Sequence, residues 1–156
     1  FGLDIDWGSY PYVTSSNCIS AAALMNGVPP QAVRNVYGVA KSYETYVGSK
    51  SFQPPGEIFN KIQEEGQEYG ATTGRKRQVN WMNLNFLRKA ININGATHVV
   101  FNKMDILENV GQFAVNENGD LKRFIDSHHM ENYIREKLNT VPFVKSVVFS
   151  RSPHEV

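Results

Sequence analysis

The stretch Tyr69-Gly70-Ala71-Thr72-Thr73-Gly74-Arg75-Lys76-Arg77 places two hydroxyls between glycines and follows them with three cations. Glycines let backbone N–H groups approach a ligand, threonine hydroxyls add donors, and an arginine fork binds a carboxylate through two parallel hydrogen bonds. The chemistry is that of an anion site. A bare Gly-Arg-Lys-Arg would serve equally as a solvated basic loop. The preceding Gly-Ala-Thr-Thr turns the reading toward a bound ligand.

A second string, Asn102-Lys103-Met104-Asp105, directly follows the apolar run His98 to Phe101. A carboxylate there can accept from both N1–H and the exocyclic amine of a guanine, with the lysine stem along the face of the base. Taken alone, the string reads as well as a strand end with a capping aspartate. Its place after a strand, and the company of the first loop, favour a base contact. A third cluster, Val13-Thr14-Ser15-Ser16-Asn17, sits before a helix start, where free N–H groups and the positive helix end suit a phosphate.

The elements that hold these strings read as follows. A Gly-, Ser-, Tyr- and Pro-rich loop runs to Ser16, and a helix spans Asn17 to Met25, stopped by Gly27 and Pro29-Pro30. Val33 to Val47 reads as one strand, Gly56 to Glu65 as a short helix, and Gly66 to Gln78 as loop. Trp81, Leu84, Leu87, Arg88 and Ile91 fall at helical spacing, which predicts a helix over 80–92 ended by Gly95. Strands follow at 98–101, 111–115 and 143–149, with an Asn118-Gly119 turn and a helix over 129–138. This alternation predicts an α/β fold with a largely parallel sheet and flanking helices, whose ligands sit beyond the carboxyl ends of the strands.

Composition excludes several classes. The 156 residues carry 16 Lys and Arg against 15 Asp and Glu, a net charge of +1, so anion binding must be local rather than a whole-protein field. Hydrophobic residues at 41% and charged residues at 20% are those of a globular domain. The single cysteine, Cys18, forms no internal disulfide and reads as a small core residue, and no apolar run is long enough to span a bilayer. His128-His129 lacks partners at zinc spacing, and His98 reads as a packed strand residue.

The strings together resemble the adenylosuccinate synthetase family. Leu3 to Asn17 is similar to that family's LDID-GTYPYVTSSN, Lys41 to Phe52 to KAYSTRVGAGPF, Gly70 to Arg77 to the aspartate-binding loop GATTGRRRR, and Asn102 to Asp105 to TKLD. The resemblance implies aspartate contacts from Thr72, Thr73, Arg75 and Arg77. It implies purine monophosphate contacts from Thr14, Val47 and Gly48. For the base of the nucleoside triphosphate it implies Lys103, Asp105, Ser150 and Pro153.

The fold so implied is the C-terminal part of a P-loop-type synthetase domain, filling residues 1–156. The activity is a ligase joining L-aspartate to carbon 6 of IMP, in purine biosynthesis, by phosphorylating O6 with GTP and then displacing that phosphate. Catalytic residues and Mg²⁺ ligands are expected in an N-terminal half that also carries the phosphate loop. These residues alone are therefore expected to be inactive and to associate through a bare sheet edge. A cytoplasmic homodimer with no membrane or nucleic-acid partner is implied.

Several positions depart from the family pattern: Tyr46, Gln53, Lys76, Gln78, Arg151 and Ser152. With the chain's compactness, Tyr46, Gln53, Arg151 and Ser152 point to the phage branch that uses dGMP with ATP or dATP to make N6-succino-2-amino-deoxyadenylate. IMP and dGMP both stay open as substrates, as do GTP and ATP as donors. A reading of another class is a phosphate- or nucleic-acid-binding module, with Arg75, Lys76 and Arg77 beside Trp81 and Phe86. The helical spacing that puts Trp81 on an apolar face argues against it.

Overall fold

The computed structural model describes residues 26–154. The helix expected at 17–25, with Thr14 and Cys18, lies outside them. Among the described residues the order is a 3-10 turn at Pro30–Ala32, β1 (Tyr37–Lys41), β2 (Tyr43–Tyr46), α1 (Glu57–Glu65), β3 (Gln78–Asn83), α2 (Leu84–Asn94), β4 (His98–Asn102), α3 (Met104–Val110), β5 (Phe113–Glu117), β6 (Asp120–Phe124), α4 (Ser127–Leu138) and β7 (Ser146–Phe149).

Two sheets result. One is three-stranded and wholly parallel, in the order β1-β4-β7. The other is four-stranded, in the order β2-β3-β5-β6, with antiparallel outer pairs around a short parallel β3–β5 contact. The α/β expectation holds, and the parallel sheet carries the strands expected at 98–101 and 143–149.

The single strand expected over 33–47 is instead two strands in different sheets. Ser42 is the pivot: it is fully buried, and both its N–H and its hydroxyl donate to the Asn102 carbonyl at 2.9 Å. These bonds to the last carbonyl of β4 close the β1–β4 ladder, and from Tyr43 onward the chain pairs with β3 instead.

The helix expected over 80–92 begins only at Leu84. Residues 78–83 form β3, with Val79 and Trp81 buried on one face, and the Asn83 side chain accepts from the Phe86 N–H at 3.0 Å, capping a helix that starts with no loop before it. Trp81 is therefore a strand residue. Its ring meets Phe59 of α1 edge-on, with centroids 5.4 Å apart, in the core. That removes it as a stacking platform for bases.

Phe101 of β4 and Phe149 of β7 pair in register and stack with centroids 4.8 Å apart. Met104, Leu107, Met130, Ile134 and Leu138 are fully buried and close the core over them from α3 and α4. Each such side chain contributes roughly 1.5–3 kcal/mol relative to exposure. What this packing fixes is the carboxyl edge of the parallel sheet, where Lys41, Lys103 and Ser150 follow or end three adjacent strands.

Candidate functional site

The loop 69–77 is a tight hairpin-like turn. Tyr69 and Lys76 bridge as antiparallel partners, the Gly70 N–H donates to the Arg75 carbonyl at 2.8 Å, and the Gly74 N–H donates back to Gly70 at 2.8 Å. Gly74 sits at φ +62°, a left-handed conformation that costs a side-chain residue about 1–2 kcal/mol. Thr72, Thr73 and Arg75 are exposed at the tip, whereas Arg77 is half-buried at the exit. The Thr73 hydroxyl turns inward over Gly70, where an added Cβ would lie only 3.0 Å away.

The acid at the base of this loop is Glu68, fully buried. Its Oε2 accepts from Lys41 Nζ at 2.7 Å and from Arg77 Nη1 at 3.0 Å, and its Oε1 accepts from the Tyr43 hydroxyl at 2.7 Å and pairs with Lys103 Nζ at 3.2 Å. Burial alone would raise this carboxyl's pKa. The hydrogen bonds from Lys41 and Tyr43, with the charge of Lys41 and the bond from Arg77, outweigh it and hold the group down to about 2. Tyr43 moves the other way: burial, then its hydrogen bond to the ionised Glu68, push its hydroxyl far above the ordinary range.

A glycine makes this approach possible. A Cβ on Gly66 would lie 2.3 Å from the Tyr43 hydroxyl and 2.9 Å from the Ile62 carbonyl. The next residue, Gln67, takes φ +49° and turns the chain out of α1 so that Glu68 points inward.

The Asn102–Asp105 string is a strand-to-helix turn. Lys103 adopts a left-handed φ of +62°, and its Nζ also donates to the Gly66 carbonyl at 2.5 Å. Asp105 lies half-buried in the first turn of α3, with no hydrogen bond to its carboxylate recorded among the described residues. Ser150 joins the same corner. Its N–H donates to the Phe101 carbonyl at 2.7 Å, its own carbonyl accepts from Met104 at 3.3 Å, and its hydroxyl donates to the Ser152 carbonyl at 2.8 Å.

Beyond Ser150 the chain departs from this corner. Arg151 binds Glu108 of α3 at 2.9 Å and Glu131 of α4 at 2.5 Å, a tie between two helices that gives it a structural task. Pro153 is exposed, and among the described residues no contact joins it to Asp105.

Among the described residues Gly48, and not Val47, is joined to Gln78 at the loop's exit. That carboxamide accepts from the Phe52 and Gln53 N–H groups at 2.8 and 3.0 Å, and donates to the Lys50 carbonyl at 2.7 Å and the Gly48 carbonyl at 3.3 Å. The Gln53 carboxamide in turn accepts from the Val79 N–H at 3.0 Å and donates to Asn60 at 2.9 Å. The Tyr46 hydroxyl lies 2.2 Å from where a Cβ on Gly48 would sit. Three of the sequence's departures, Tyr46, Gln53 and Gln78, thus form one connected unit.

Thr72, Thr73, Arg75 and Arg77 accordingly share a loop, Lys103 joins it through Glu68, Gly48 joins it through Gln78, and Ser150 backs Lys103. Sequence reasoning missed Glu68, Lys41 and Tyr43. The available signal was slight, an acid just before a cationic loop. An apolar cavity of about 530 Å³ lies between β1 and α2, with Val39, Met82, Phe86 and Leu87 in its wall beside Lys41 and Tyr43 of the Glu68 cluster, and with none of the candidate ligand residues. Asp126 caps α4 by accepting from the His129 N–H at 2.8 Å, and His98 stacks on Tyr37 with ring centroids 4.7 Å apart.

Residues 1–142 match the adenylosuccinate synthetase family. The chain is similar to adenylosuccinate synthetases of Chlamydomonas reinhardtii, a chloroplastic protein (42% identical over 142 residues, 83% of this chain), of Monosiga brevicollis (46% over 109 residues, 68% of this chain) and of Caenorhabditis elegans (50% over 111 residues, 68% of this chain). It spans 30%, 25% and 24% of those relatives' lengths.

Its fold is shared with the fully ligated adenylosuccinate synthetase of Plasmodium falciparum, at TM-score 0.74 and 22% identity over 96% of this chain and 45% of that one. It is shared more loosely with the succinoaminodeoxyadenylate synthetase of cyanophage S-2L bound to dGMP and dATP, at TM-score 0.56 and 16% identity over 96% of this chain and 40% of that one. The chain belongs to the adenylosuccinate synthetase family.

Proposed function

We propose that these residues supply the ligand-contacting loops of a carbon–nitrogen ligase that joins L-aspartate to carbon 6 of IMP at the expense of GTP, in purine nucleotide biosynthesis. The observation that carries the reading is the convergence of the 70–77 loop and the 102–105 turn on Glu68, at the carboxyl edge of a parallel sheet in a chain of this family.

In this reading Arg75, Thr72 and Thr73 take the carboxylates of aspartate at the exposed tip, with Arg77 behind them. Val47 and Gly48 lie along the purine monophosphate, with Thr14. Asp105 accepts from the base of the triphosphate beside Lys103, and Ser150 supports the turn. The loops bind and orient, and holding two reactants in register is itself a large share of catalysis in such a reaction.

Among the described residues no group of three or more His, Cys, Asp or Glu could hold a metal ion, so no residue described is assigned to Mg²⁺. The phosphate-activating groups belong to parts of the relatives' length that these residues do not span. A cytoplasmic homodimer goes with this proposal. No helix among the described residues is long and apolar enough to cross a membrane.

IMP is preferred to dGMP because the three relatives described above are named adenylosuccinate synthetases and the phage enzyme is the weaker structural match. The test is Arg75→Leu in the full-length enzyme. Loss of a charge-assisted pair raises the aspartate KM by about a hundredfold, with both nucleotide KM values nearly unchanged. Unchanged aspartate kinetics would remove the assignment.

A further inference from the structure

Glu68 is unusual in the company it keeps. Its four partners come from four separate segments: Lys41 ends β1, Tyr43 opens β2, Arg77 leaves the cationic loop, and Lys103 occupies the β4–α3 turn. A carboxylate needed only to fill the core would be served as well by an apolar residue, since burying charges costs about as much as their attraction returns. Two of its three cations are residues assigned above to ligand contact, one from each loop.

The two oxygens divide the work. Oε2 serves Lys41 and Arg77, and Oε1 serves Tyr43 and Lys103. Arg77 contributes only Nη1 to this cluster, so the remainder of its fork can turn to a ligand carboxylate while Nη1 stays engaged. The arginine's backbone is fixed on both sides, its N–H donating to the Glu68 carbonyl at 2.9 Å and its carbonyl accepting from the Gln63 side chain. Motion at Arg77 is therefore confined to its side chain and is transmitted to the carboxylate that Lys103 shares.

We propose that Glu68 is a positioning residue that couples the two loops, holding Arg77 and Lys103 in one frame so that a dicarboxylate amino acid seated at the first alters the affinity of the second for a nucleobase. The inference rests on the assignment of the two loops made above. Coupling of this kind is reciprocal and is measured as a ratio of dissociation constants.

The experiment uses the full-length enzyme and measures binding of GTP with and without saturating L-aspartate, in the native protein, Glu68→Gln and Glu68→Asp. The native ratio is expected at about fivefold or more, and both variants are expected to bring it within about twofold of unity while each still binds the two ligands separately. A merely structural Glu68 would lower the melting temperature and leave the ratio intact, which overturns the proposal. Should Glu68→Gln lose its cooperative melt, Glu68→Asp decides alone, because it keeps the buried charge while a carboxylate one methylene shorter no longer reaches Arg77 and Lys103 together.

Native protein that binds both ligands independently also overturns the proposal, and leaves the functional reading standing. Protein that binds neither overturns both.

Discussion

Tyr46 and Gln78 face one another across the antiparallel β2–β3 pair, and from that position the Gln78 side chain fastens the 48–53 loop through four hydrogen bonds. Both positions are uncharged where the family pattern carries arginine. The loss of two charges has been replaced by a polar clasp, and Gln53 completes it by docking on the Val79 N–H.

Replacing Gln78 by leucine therefore strands two N–H donors and two carbonyls. The expected cost is about 2–3 kcal/mol, less than the sum of four bonds because part of the loop is wet. Amide hydrogen exchange should quicken at Phe52 and Gln53 ahead of the β3 core, and the KM for the purine monophosphate should rise more than that for aspartate. Unchanged exchange at those two amides would show the clasp to be dispensable.

Among the described residues no hydrogen bond reaches the Asp105 carboxylate in the first turn of α3, which suits a base contact. Asp105→Asn should weaken a guanine nucleotide by about 1.5–3 kcal/mol, the size of a charge-assisted hydrogen bond, and hardly affect an adenine nucleotide. Calorimetric titration with each separates the cases. Equal weakening would make Asp105 a helix-start residue only.

Acid stability should carry the signature of Glu68. Its folded pKa of about 2 lies below the ordinary value of about 4.3, so its contribution is fully present above that value and is lost as pH falls from there through about 2. The loss amounts to at most about 3 kcal/mol. Glu117 and Asp126 are also held below their ordinary values, the first mainly by Tyr133 and the second by the His129 N–H, so they fade in the same direction. The comparison that isolates Glu68 is the melting temperature between pH 5 and pH 2: the native curve should fall more steeply than that of Glu68→Gln. Parallel curves would show that Glu68 is not ionised below its ordinary range.

Strong apolar runs with clear stops announced themselves in the sequence. His98 to Phe101, the Asn118-Gly119 turn and the helix through Met130, Ile134 and Leu138 all stand as expected. The boundary at Asn83 was hidden because Trp81 happens to extend the helical spacing of Leu84, Leu87 and Ile91 by one turn. β6 was hidden because Asp120 to Arg123 is exposed throughout, with Leu121 its one apolar residue, and pairs only along one antiparallel edge. α3 is short and lacks a side-chain cap. In the site, the loop's ligand-binding character was legible from residue type alone. Glu68 was not, since Glu64, Glu65 and Glu68 look alike in sequence and only partners from distant segments single out the third.

Lys103 is constrained twice over, once by its amine and once by its backbone. A left-handed φ of +62° excludes the β-branched residues, which would be strained there by about 1–2 kcal/mol, while glycine and asparagine would fit the turn and lose the ammonium. Random mutagenesis selected for activity should therefore leave this position nearly invariant. Selection for folding alone should instead enrich glycine and asparagine, so that the two libraries diverge most sharply at a residue whose side chain is one-third exposed.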